Sequence, residues 1–116
     1  MTEEGFIREI VYYRRYYLDF FDKLSPDAKL KFNWTLKLIA TVDRIPAKFF
    51  DHVTSTDGIY EIRVEVQRSI YRVFCFFEEG RLIVLMNGFQ KKSGKTPRKE
   101  IELAKRIKKQ YDNEKD

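Results

Sequence analysis

The chain has 116 residues and a formal charge of +5, with 43% hydrophobic and 16% aromatic residues. Residues 1–116 are therefore expected to form one domain with a packed core, which excludes wholesale disorder and a second core. The single Cys75 excludes an internal disulfide and any multi-cysteine metal site, while the basic balance suits an anionic partner without requiring one.

Residues 6–12 (FIREIVY) are rich in β-type residues and predict a first strand. Tyr13, Tyr17, Phe20, Phe21 and Leu24 then recur on one face of a helix. Ser25-Pro26 predicts a second helix start, a hydroxyl cap followed by a proline whose missing N–H costs nothing there. In that helix Leu30, Trp34, Leu38, Val42 and Ile45 form one stripe, and Phe32, Leu36 and Ile39 a second. Two stripes predict burial on two sides, with Pro46 as the stop. Residues 51–58 (DHVTSTDG) read as a loop.

Three β-segments follow, 59–66, 69–77 and 81–89, and their short connections predict antiparallel hairpins. Pro97 opens a last helix on which Ile101, Ala104, Ile107 and Tyr111 recur at helical spacing. The pattern is that of an α+β domain: an N-terminal helical hairpin, a sheet, and a C-terminal helix returning over it. No apolar run reaches the roughly 18 residues of a membrane span, and the polar, acidic start MTEEGFIREI is unlike a signal peptide. A cytoplasmic protein with no membrane partner is expected.

Period-two alternation sorts the strand charges. Tyr60, Ile62, Val64 and Val66 share one face, leaving Glu61, Arg63 and Glu65 on the other. In the next strand Tyr71, Val73, Cys75 and Phe77 oppose Ile70, Arg72, Phe74 and Phe76. A guanidinium in so apolar a strand needs water, a carboxylate or a ligand. Arg72 therefore has two readings: an ion pair with Glu61 or Glu65, or a place with Arg63, Lys91 and Lys92 around a phosphate-binding groove on the face away from the helices. Cys75, alternating with core residues and lacking a basic partner, reads as a buried thiol. His52 reads as a surface-loop histidine. No glycine-rich phosphate loop, metal-ligand spacing or cofactor motif is present. From residue 88 onward ten cations face five anions, which suits either a solvated helix or attraction to RNA. The tyrosines at 12, 13, 16 and 17 suit core or protein contact more than base stacking.

The segments GIYEIRV (58–64), YRVFCFF (71–77) and LIVLMNGFQKKSGKTPRKEIELA (82–104) together resemble the RelE/ParE toxin superfamily, in its HigB-type, phage-derived branch. The resemblance is dense over residues 58–105 and implies a RelE-like, microbial RNase-like fold: a twisted antiparallel sheet with a helical hairpin on one face. It implies the toxin of a type II toxin–antitoxin system, a ribosome-dependent, metal-independent mRNA endonuclease in which the 2′-hydroxyl attacks the neighbouring phosphorus. The partners implied are the ribosome with its mRNA and a cognate helix-turn-helix antitoxin. By resemblance Arg63 and Arg72 would bind phosphate and stabilise the transition state, and Lys91 or Lys92 would assist proton transfer or the leaving group. Phe89 or Tyr71 would stack on a base, and Arg68, Lys95 and Arg98 complete the expected RNA contacts. Asn87 stands where histidine is common in this branch. A site without a histidine fits cleavage only where the ribosome aligns the message. A ParE-like gyrase poison and a non-catalytic antitoxin-binding member of a repressor complex share the fold and stand as alternatives.

Overall fold

The computed structural model describes residues 5–92 and 94–115. Three of its strands, β3 (Ile59–Val66), β4 (Ser69–Glu78) and β5 (Leu82–Lys91), lie where hydrophobic alternation puts them. Before them come β1 (Glu9–Tyr12), α1 (Tyr16–Phe21), α2 (Pro26–Thr41) and β2 (Phe50–His52), and after them α3 (Arg98–Lys115). The five strands form one sheet in the order β1-β5-β4-β3-β2, giving the expected α+β, RelE-like architecture.

Strands β2 to β5 pair antiparallel, but β1 lies parallel to β5, with Glu9 opposite Leu82 and Tyr12 opposite Leu85. The sheet is therefore mixed. A hairpin cannot join parallel neighbours, so the intervening helices and strands serve as the crossover. The segment 51–58, expected to be all loop, contributes Asp51 and His52 to β2, which pairs with Tyr60–Ile62 at the sheet's far edge.

The two sheet faces bury different helices. On one, Ile62, Val64, Val73, Cys75, Ile83 and Leu85 pack with Tyr17, Phe32 and Ile39 of α1 and α2. On the other, Ile59, Phe74, Phe76, Val84, Met86 and Phe89 pack with Ala104 and Ile107 of α3. The arginine-bearing face is thus not free of helix, because α3 covers one end of it.

Local chemistry accounts for the helix ends. Ser25 Oγ accepts from the Ala28 N–H at 3.2 Å, and Pro26 occupies the first turn, as the sequence predicts. α2 stops at Thr41, short of Pro46, because the Arg8 guanidinium donates to the carbonyls of Ile39, Val42 and Asp43 at 2.9, 2.7 and 2.8 Å. A cation on those orphan carbonyls fixes the helix end. At α1, Arg14 sits at φ 53°, and this left-handed step turns Tyr13 away from the helix stripe. Tyr13 instead meets Tyr111 of α3 edge-on at 5.3 Å. Of α2's two stripes, Phe32 and Ile39 are buried, but Leu30 and Trp34 are 68% and 51% exposed. Among the described residues no helix is long and apolar enough to cross a membrane.

Between Val73 and Cys75 the β4–β5 register shifts: Val73 faces Gly88 and Cys75 faces Leu85, so Met86 and Asn87 together oppose Phe74. This bulge re-aims the last third of β5. Gly88 is required there, since a Cβ would lie 2.6 Å from the Phe20 ring.

Candidate functional site

The hairpin of β3 and β4 places Arg63 directly opposite Arg72, and Phe89 of β5 lies opposite Arg72. The next row holds Glu65, Ile70 and Lys91 on the same face. Lys91 is a diagonal neighbour of Arg72, a separation of roughly 7–8 Å between backbones that long side chains span. Three cationic side chains from three adjoining strands therefore share the end of this face that α3 leaves open.

The two arginines do not stand empty-handed. Arg63 donates through Nη2 and Nε to Glu61 Oε1 at 2.9 and 3.1 Å, and through Nη2 to Asp51 Oδ2 at 3.3 Å. Arg72 Nε lies 3.8 Å from the same Glu61 oxygen, too long for a hydrogen bond, and Nη1 donates to the Tyr71 carbonyl at 3.0 Å. The ion-pair reading of Arg72 thus holds at the level of charge, while its buried Nε has no hydrogen-bond partner among the described residues. Arg72 and Glu61 are 8% and 7% exposed, and the Arg63 side chain 32%. Burial pulls the Arg72 guanidinium below its ordinary value; Glu61 opposes this, Arg63 adds to it, and Glu65 opposes it again.

Glu61 is the residue that sequence reasoning assigned only a pairing role. Its buried carboxylate lies between the two arginines, hydrogen-bonded by Arg63 and within ion-pair distance of Arg72. The signal was available in the Glu-x-Arg spacing of β3 and its pairing to Arg72, which alternation alone puts on one face.

The remaining expected site residues scatter. Tyr71 is on the opposite face, edge-on to Phe20 and Phe32 at 6.1 and 6.0 Å, so it cannot reach a base bound at Arg72. Phe89 is on the arginine face but only 8% exposed, with its ring 5.5 Å from Phe74 beneath α3; it is a core residue, not a stacking platform. Arg68 is exposed in the β3–β4 turn, where Gln67 takes a φ of 55°. Lys92 is exposed just past β5, Lys95 lies in the bend before α3, and Arg98 is exposed at its first residue. No ion pair or hydrogen bond engages Lys91, Lys92, Arg68 or Arg98 among the described residues. Asn87 is buried, its Nδ2 donating to the Glu100 carbonyl and carboxylate, both at 3.2 Å, so it ties the bulge to α3. His52 is exposed at the edge strand, and Cys75 is buried with its thiol pushed up by burial. Among the described residues no cluster of three or more His, Cys, Asp or Glu could hold a metal ion.

No curated protein matches the chain. A family model does: residues 19–109, which take in the end of α1, the whole of α2 and of β2 to β5, and most of α3, match the phage-derived protein Gp49-like family (DUF891). The chain that carries this arginine-paired sheet belongs to the Gp49-like family, in general a family of RelE/HigB-like toxins.

Proposed function

We propose that this protein is the toxin of a type II toxin–antitoxin pair and cuts mRNA on the ribosome, in the cytoplasm, under the control of a cognate helix-turn-helix antitoxin. The observation that supports this most is the convergence of Arg63 and Arg72 on one buried carboxylate, Glu61, with Lys91 a diagonal step away. A phosphodiester entering the open end would exchange Asp51, the longest and most exposed of Arg63's partners, for its own oxygens. Arg72 would turn its unpartnered Nε toward the same phosphate, and charge-assisted donors held in a buried setting favour the extra negative charge of a pentacoordinate phosphorus.

Glu61 would then accept the proton of the attacking 2′-hydroxyl. The new bond joins O2′ to phosphorus, the P–O5′ bond breaks, and the products are a 2′,3′-cyclic phosphate and a 5′-hydroxyl. Lys91 or Lys92 would supply the positive charge, or the proton, at the departing O5′. A carboxylate already bonded to a guanidinium is a weak base, so the rate rests on alignment of the substrate, which can supply a large part of the barrier. That is what a ribosome-held message provides.

The test is induction of the gene in a growing culture, with message ends mapped with and without ongoing translation. Cuts that vanish when initiation is blocked, and that are absent with Glu61→Gln, support the reading. Equal cutting of naked RNA by purified protein refutes the ribosome requirement. A DNA-damage response with intact messages refutes the nuclease and favours gyrase as target.

A further inference from the structure

The apolar stripe that the fold leaves uncovered on α2 has a definite charge pattern. Leu30 and Trp34 stand one helical turn apart and are the two most exposed of the large hydrophobic side chains on this helix. The Trp34 ring meets Phe49 edge-on at 5.7 Å. Lys31 Nζ lies over Trp34 at 4.8 Å and Lys48 Nζ over Phe49 at 4.9 Å. Lys37 is exposed one turn beyond. None of these three lysines has a carboxylate partner among the described residues. Asp27 and Glu65, together with Lys31, border the depression that holds Leu30, Trp34 and Val66, and along the helix Asp27 lies before Leu30 and Lys37 beyond Trp34. The stripe therefore runs from an acid before Leu30 to a base beyond Trp34.

A patch with that polarity complements a copy of itself turned end for end. If two α2 helices cross antiparallel about an axis at residue 32, position i meets position 64 − i. Leu30 then faces Trp34 of the other copy, and Asp27 faces Lys37. Glu65, beside Leu30, comes to the end where Lys48 stands beside Phe49. Each contact occurs twice, as an isologous interface requires. A nucleic-acid strand suits the patch less well, because its phosphates would pass Asp27 and Glu65, and Leu30 offers no ring on which to stack.

We propose that this face of α2 pairs two copies of the chain in a reversible, antiparallel two-fold dimer, in which Leu30 and Trp34 bury one another. The interface uses none of Glu61, Arg63, Arg72 and Lys91, so it stands or falls apart from the nuclease reading. Its small size sets it among weak associations, below the area of a permanent dimer.

Sedimentation of the purified full chain over roughly 1 µM to about 1 mM, the range of weak interfaces, gives the test. Trp34 is the single tryptophan, so its emission reports the same event without a label. The expected result is a monomer–dimer transition with a matching blue shift of Trp34. Leu30→Ser raises the dissociation constant by about a hundredfold or more, because the lost side chain counts twice. Lys37→Glu sets like charges opposite Asp27 and weakens the dimer about tenfold. Adding Asp27→Lys to Lys37→Glu restores it. All three positions are exposed, and circular dichroism checks that each variant is folded. A chain that stays monomeric throughout overturns the proposal. So does a dimer that Leu30→Ser leaves unchanged, or a Lys37→Glu defect that Asp27→Lys fails to repair.

Discussion

Glu61 and Arg72 are both buried, yet removing them should have unequal consequences. Glu61→Gln keeps shape and deletes one charge. It leaves the 8%-exposed Arg72 without its compensating carboxylate, and leaves Arg63 with only Asp51 at 3.3 Å. Breaking a buried pair this way costs about 3–5 kcal/mol when both ions are sealed. Arg63 is one-third open to water and recovers part of that by hydration, which brings the expected loss to about 2–3 kcal/mol. Arg72→Met, by contrast, removes a desolvated guanidinium and an orphaned Nε in favour of a flexible apolar chain, while Glu61 keeps both bonds from Arg63, at 2.9 and 3.1 Å. That loss should stay within about 1 kcal/mol. Arg72→Ala would be a poorer probe, since it also opens a cavity in the sheet. Urea denaturation of both variants measures the difference, and unchanged m-values would show that the denatured state is unaffected. A larger loss for Arg72→Met than for Glu61→Gln would refute the view that the carboxylate anchors two arginines rather than the reverse.

Three further outcomes follow from the geometry. Gly88→Ala drives a methyl group to 2.6–2.9 Å from the Phe20 ring, and should cost about 1–3 kcal/mol; adding Phe20→Leu should recover part of it in a double-mutant cycle. Lys91→Ala should leave stability within about 0.5 kcal/mol while reducing message cutting, whereas Phe89→Ala should cost about 3 kcal/mol or more as a loss of core. Burial raises Cys75 and Tyr17 above their ordinary values of 9.0 and 10.0, so the folded state holds protons that the unfolded chain releases. Their contribution is full below those values and declines as pH rises past them, by about 1.4 kcal/mol per pH unit for each group. Urea midpoints at alkaline pH test this, and Cys75→Ala should remove the part that begins near pH 9.0.

What could be read from the residues and what could not divide along the range of the interactions. The β3–β4–β5 meander follows from period-two alternation and short turns, and the Ser25 cap from two adjacent residues, so local pattern sufficed. The helix end at Thr41 depends on Arg8, more than thirty residues away, and no local rule points to it. Tyr13 was misplaced because a left-handed Arg14 is a tertiary outcome that its own side chain does not favour. Alternation put Arg63 and Arg72 on one face correctly, and the β5 register adds Lys91 to it, but Phe89 joined them there only to be sealed by α3, whose path the sequence does not state. Family likeness suggested Tyr71 as a base contact, whereas its alternation with Val73 and Cys75 already placed it on the helix side.

The parallel seam between β1 and β5 bears on the order in which the sheet can assemble. Glu9 leaves the synthesising ribosome long before Leu82, its partner in the sheet. During elongation the amino-terminal strand has nowhere to dock, and closing so long a loop defers completion of the sheet until most of the chain has emerged. Arg63 and Arg72 are already translated by then, but the β5 neighbour that carries Lys91 is the last strand to arrive. A sheet assembled in this order brings Lys91 beside Arg63 and Arg72 last, so the cationic end of the face is complete only once β5 has paired.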